Sequence, residues 1–154
     1  MEAIMPYGEL RKGRHSEPWR IYFITTVLKE RETSWFADFF CARYVIAEMR
    51  ALHDGGVVTS QAWVVMPDHI HWLFQLGDIL PLPAVVKQFK ACSALCINRH
   101  LNRQGPLWQK AYYDHAIRKE EDLRQIARYI VANPLRAGLV KNIGDYPHWD
   151  AIWL

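Results

Sequence analysis

Apolar residues along this chain fall into two kinds of pattern, runs and stripes. Ile21 to Val27 (IYFITTV) is a run of β-branched and aromatic residues, which predicts a strand apolar enough to be buried on both faces. Between Trp35 and Leu52 the apolar positions Phe36, Phe39, Phe40, Tyr44, Val45, Ala47 and Met49 recur at helical spacing and stop before His53, Asp54 and Gly55-Gly56, predicting a first helix. Val57 to Met66 and Ile70 to Leu76 flank Pro67-Asp68-His69, a short polar link that predicts an antiparallel hairpin.

After Gly77-Asp78, the residues Val85, Val86, Phe89, Ala94, Leu95, Ile97 and Leu101 mark a second helix from about Leu82 to Asn102, stopped by Gly105-Pro106. Trp108 to Ile117 predicts a further strand. Leu123, Ile126, Ala127 and Ile130 predict a third helix, ending near Asn133 because Pro134 disfavours helical geometry there. The section before Trp19 is polar, basic and aperiodic, an arm spanning 1–19, and the tail over 141–154 is expected to be loop-like. Its aromatic residues Tyr146, Trp149 and Trp153 should pack back on the body. The order of elements predicts one α+β domain over 1–154, with an antiparallel sheet carrying helices on one face.

Composition narrows the class. With 51% hydrophobic and 13% aromatic residues in 154, the chain is neither disordered nor low in complexity. No apolar run approaches a membrane span and the N-terminus lacks a signal-peptide pattern, so a cytoplasmic protein is expected. Three cysteines, Cys41, Cys92 and Cys96, are too few and too scattered for a disulfide framework and fit small core positions. Lys and Arg number 19 against 16 acids, a net charge of +3, which decides little. Its distribution says more: from Ile79 to Tyr113 there is no acid, while Lys87, Lys90, Arg99, Arg103 and Lys110 fall there beside Tyr112 and Tyr113. Such a stripe suits a polyanion or, equally, a solvated helix face.

The candidate chemistry starts at His69-Ile70-His71. Residues two apart on a strand share a face, so both imidazoles can approach one metal ion while Ile70, Trp72, Phe74 and Leu76 point into an apolar layer. Two histidines do not make a closed structural zinc site, so an open site needs a further donor. On the third helix Tyr129 and Asn133 are four residues apart and share a face. By base rate alone, a helical tyrosine is a packing residue and an Asn before Pro a helix terminator.

These residues also carry a resemblance. Trp63 to Trp72 (WVVMPDHIHW) resembles the HUH signature of single-tyrosine HUH transposases. Tyr129 to Val140 (YIVANPLRAGLV) is similar to the tyrosine helix and following turn of the REP-associated tyrosine transposases. Gly13-Arg14-His15 ahead of Tyr22-Phe23-Ile24-Thr25-Thr26, and Asp114-His115-Ala116-Ile117-Arg118, resemble the same branch and occur in the same order.

The resemblance implies a single HUH transposase-like domain with a ferredoxin-like sheet and the tyrosine helix near the His-x-His strand. It implies metal-dependent cleavage and strand transfer of single-stranded DNA through a 5′-phosphotyrosine, on REP hairpin repeats. Tyr129 would be the nucleophile, and His69 and His71 would hold Mg²⁺ or Mn²⁺. Asn133 would stand where insertion-sequence relatives place a glutamine ligand. Arg14, Lys87, Lys90, Arg99, Arg103, His115 and Arg118 are candidate DNA contacts, and Tyr112 or Tyr113 a candidate stacking surface. A hairpin-binding protein of the same fold without cleavage is the alternative. The expected setting is the prokaryotic cytoplasm and nucleoid, as monomer or homodimer.

Overall fold

The computed structural model describes residues 16–119 and 121–152. Arg14, most of the basic arm and Trp153 therefore lie outside the described residues. Five strands form one antiparallel sheet in the order β4-β1-β3-β2-β5. They are β1 (Ile21–Val27), β2 (Val58–Val65), β3 (His69–Leu76), β4 (Tyr113–Ala116) and β5 (Trp149–Ala151). Helix α1 (Phe39–Asp54) joins β1 to β2, and α2 (Leu82–Leu101) joins β3 to β4. The short helices α3 (Leu123–Val131) and α4 (Asn133–Arg136) follow β4.

Alternation along the strands makes two apolar layers. Tyr22, Ile24, Ile70, Trp72 and Phe74 face α1 and α2 and, with Val45, Met49, Val85 and Phe89, form the larger core. The long helices thus share one face of the sheet. On the other face Phe23, Val64 and Leu73 meet Ala127, Ile130 and Val131 of α3, which packs over the strand bearing the histidines. Strand β1, central between β3 and β4, is buried on both sides, as its unbroken apolar run requires.

Several predicted boundaries move, each for a local reason. The first helix does not begin at Trp35. Residues Trp35–Ala37 form a 3-10 turn after Ser34 adopts a left-handed conformation (φ 48°), and α1 starts only after Asp38, whose carboxylate accepts from Phe40 N–H. The strand expected over 108–117 shrinks to Tyr113–Ala116, because Trp108 makes a single bridge to Leu28 and then buries its indole. Helix α3 ends at Val131, but the chain resumes helical geometry at Asn133, with Pro134 in the first turn, where a missing N–H is harmless. The tail is not merely a loop: β5 pairs with β2 at Ala62, Trp63 and Val64. Its Tyr146 hydroxyl donates to Val65 O at 2.6 Å.

Candidate metal and tyrosine site

Register brings the site together. On β3, His71 lies opposite Thr25 of β1 and His69 opposite Val27, so both imidazoles stand on the face covered by α3. Their ring centroids are 4.9 Å apart. Each ring is held through Nδ1: His69 pairs with Asp68 Oδ1 at 2.7 Å, and His71 with the Thr25 hydroxyl at 2.7 Å. Asp68 is steadied by Arg31, whose Nε–H donates to Oδ2 at 2.8 Å.

Both Nε2 atoms are buried and have no hydrogen-bond partner. A buried polar atom without a partner is costly, and two on neighbouring rings leave two nitrogens available to a cation. Imidazoles fixed at one nitrogen and open at the other are the usual arrangement of histidine ligands. Burial first, then the neighbouring His69 and Arg136, push the His71 imidazole down to about 3, so it is neutral, the form that coordinates. Asp68 is held down at about 2, chiefly by its bond to His69, and stays ionised to orient that ring. Two nitrogen donors with an open remainder fit a divalent ion. Among the described residues no further His, Cys, Asp or Glu completes a three-donor group with them.

Helix α3 starts at an Asp122 cap that accepts from Arg124 N–H and Gln125 N–H, and it carries Tyr129 to the histidine face. The Tyr129 ring lies 6.5 Å from that of His71. Arg136, one turn into the following helix, places its guanidinium 4.0 Å from the Tyr129 ring centroid and donates to Tyr129 O at 2.8 Å. Asn133 is buried beside them. Its amide nitrogen donates to the carbonyls of Tyr129 and Ile130, which leaves Oδ1 as the atom of ligand type.

The remaining predicted residues divide. Lys87 and Arg99 are exposed, but α2 packs on the opposite face of the sheet from the histidines. Lys87 lines a groove of about 510 Å³ there with Trp108, Gln109 and Lys110. Lys90 is not a free surface cation: its ammonium donates to the carbonyls of Gln109, Lys110 and Ala111 and closes that turn onto α2. Arg103 likewise binds Asn98 and Pro106 at the end of α2. Tyr112 is buried in the larger core, so it cannot stack on a base. Its neighbour Tyr113, opposite Thr25, is the one on the histidine face. His115 shares that face and bonds Glu121 at 3.0 Å through Nε2, while Arg118 is exposed next to it. Sequence reasoning missed Thr25 and Arg136 as site residues and placed Asp68 only in the turn.

Comparisons with known proteins show the family and the fold. A family model described as "Transposase IS200 like" matches residues 20–133. A Haemophilus influenzae protein named among the REP-associated tyrosine transposases is 30% identical over 142 residues, covering 83% of this chain and 77% of its own. The REP-associated tyrosine transposase of Escherichia coli is 34% identical over 91 residues, 56% of this chain and 50% of its own. The structure of a REP-associated tyrosine transposase bound to a REP hairpin superposes with a TM-score of 0.73 at 23% identity, over 88% of this chain and 79% of that one, a likeness of fold. A Deinococcus radiodurans protein described as a transposase gives a TM-score of 0.55 at 26% identity, over 78% and 95%.

Proposed function

Because the chain belongs to the IS200-like transposases, a family of DNA-processing enzymes, we propose that it cleaves and rejoins single-stranded DNA at REP-like hairpins, with Tyr129 as nucleophile. The observation that carries this reading is the pair of buried, unpartnered Nε2 atoms on the neighbouring rings of His69 and His71, the latter 6.5 Å from the Tyr129 ring. Packing alone gives no reason to bury two imidazoles with their outer nitrogens unsatisfied.

In this reading His69 and His71 hold a divalent cation through Nε2, with Asn133 Oδ1 a third donor, and Mg²⁺ or Mn²⁺ is the ion. Bound there, the cation would polarise and orient the phosphate of the scissile nucleotide. Thr25 and Asp68 hold the two imidazoles through Nδ1 and so fix how the rings are aimed. Tyr129 supplies the nucleophile: its phenolic oxygen forms a bond to phosphorus as the bond from phosphorus to the 3′ oxygen breaks. The phenol releases its proton to solvent, and the departing oxygen takes one up as a 3′-hydroxyl. Phenol has an ordinary pKa near 10, so the Arg136 guanidinium over the ring favours the developing phenolate and attracts the DNA phosphate. The DNA end stays joined to the protein as a 5′-phosphotyrosine. Attack by another 3′-hydroxyl reverses the step and joins strands without ATP.

The test incubates the protein with Mn²⁺ or Mg²⁺ and a labelled single-stranded REP-type hairpin, followed by a denaturing gel. A protein-linked DNA band is expected from the wild type and is absent from Tyr129→Phe and from the His69→Ala, His71→Ala double variant. Hairpin binding without an adduct under either metal would replace this reading with that of a binding protein lacking cleavage.

A further inference from the structure

We propose that Asp38, Cys41 and His100 form a second cation site, selective for a zinc-like ion, that ties the start of α1 to the last turn of α2. The three donor atoms, Asp38 Oδ2, Cys41 Sγ and His100 Nε2, lie within 4.8 Å of one another. Sγ is 3.5 Å and Nε2 2.9 Å from the shared carboxylate oxygen. Zinc bonds of about 2.3 Å to sulfur and about 2.0–2.2 Å to nitrogen and oxygen put ligands of a tetrahedron ~3.3–3.8 Å apart, so only small side-chain shifts separate this cluster from a coordinated one.

Each donor is already oriented. Asp38 uses its other oxygen, Oδ1, to cap α1 by accepting from Phe40 N–H at 3.0 Å, which turns Oδ2 toward the sulfur and the imidazole. The His100 ring is held near Phe40 and Tyr44, with centroids 5.8 and 5.7 Å away. Cys41 closes the inner side, fully buried, while the Asp38 and His100 side chains, 36% and 29% exposed, leave an entry from solvent and room for a water as fourth ligand. Without an ion, burial and then the adjacent carboxylate push the Cys41 thiol up to about 12. A cation reverses that preference: the thiol proton passes to solvent, thiolate sulfur binds the metal, and His100 moves the Nε2 proton that now points at the Asp38 carboxylate to Nδ1, so that an Nε2 lone pair meets the ion.

The donor set separates this site from the one under Tyr129. Thiolate with imidazole favours Zn²⁺ and its mimic Co²⁺, and disfavours Mg²⁺ and Mn²⁺, which prefer oxygen. The two His69 and His71 nitrogens bring no sulfur.

The test titrates the reduced, metal-free full chain with Co²⁺ and follows the sulfur-to-cobalt charge-transfer absorption. One equivalent is expected to produce the band, and Zn²⁺ to erase it. The band should survive in the His69→Ala, His71→Ala variant and in Cys92→Ser, Cys96→Ser, and be lost in Cys41→Ser and in His100→Ala, the latter a change at a partly exposed side chain. A wild type that shows no band, or a band that persists in Cys41→Ser or disappears with Cys92 and Cys96, overturns the proposal and leaves the cluster a hydrogen-bonded helix cap. Loss of the DNA adduct in the same preparations would bear on Tyr129 and leave this result untouched.

Discussion

The Thr25 hydroxyl lies 2.7 Å from Nδ1 of His71, and the two residues are cross-strand partners on β1 and β3. That bond fixes the ring at Nδ1 and leaves Nε2 without a partner. Thr25→Val keeps the shape of the side chain and removes only the hydroxyl. Mn²⁺ affinity measured by calorimetry should fall about 10–100-fold, the usual effect of losing a partner behind a histidine ligand, and Thr25→Ser should restore it. Equal affinity in Thr25→Val would remove His71 from the ligand set.

Arg136 stacks on the ring of Tyr129, and in the proposed reaction its positive charge would lie beside the developing phenolate. Arg136→Ala should lower the single-turnover cleavage rate roughly 10²-fold, the scale of losing one group that stabilises developing negative charge. Arg136→Lys should recover only part of it, because an ammonium lacks the planar face that stacks. A rate within twofold of wild type in Arg136→Ala would assign Arg136 to packing alone.

Helix α3 has only nine residues, so it depends on its cap and its packing. Asp122→Ala removes the acceptor for two backbone N–H groups and should destabilise the protein by about 1 kcal/mol in urea unfolding. An unchanged midpoint would mean that packing of Ala127 and Ile130 alone holds the helix.

Burial raises the Tyr146 phenol to about 12, while the hydroxyl donates to Val65 O. The folded-state value lies above the ordinary 10, so the unfolded chain ionises first. This contribution is complete below pH 10 and is lost as pH climbs from 10 toward 12. Tyr146→Phe should be less stable at pH 8 by about 1 kcal/mol, one hydrogen bond, and the gap to wild type should narrow above pH 10. A gap that stays constant to pH 11 would contradict the raised value.

The sheet and its helices were legible wherever a pattern was long. The seven residues of β1 match the predicted run, and the hairpin turns where Pro67-Asp68 predicts it. Short elements were not: β5 has three residues, Trp149-Asp150-Ala151, too few for any period to show. Strand spacing put His69 and His71 on one face, whereas Tyr129 was singled out by the resemblance of its helix to the family's tyrosine motif and not by spacing. What spacing cannot provide is the cross-strand neighbour. Thr25 becomes a site residue only through the β1–β3 register, and Arg136 only through the helical turn that resumes after Val131. The same limit explains Tyr112 and Tyr113, adjacent in sequence, of which the pairing with β1 puts Tyr113 on the histidine face. Lys90 misled because a positive charge in an acid-free stretch suggests an external partner, whereas three carbonyls of its own chain receive it.

The two outer strands of the sheet are its shortest, four residues in β4 and three in β5. Behind β5 stands β2, eight residues long and rich in β-branched and aromatic side chains. Its outer hydrogen-bonding groups are occupied at Ala62, Trp63 and Val64 by that C-terminal segment, and at Gln61 by Ile152 N–H. An uncovered edge of that length is a template for a strand from another molecule. Residues 149–152 are therefore expected to guard against self-association: a chain cut after Val140 would keep its histidines and its tyrosine and would be expected to aggregate.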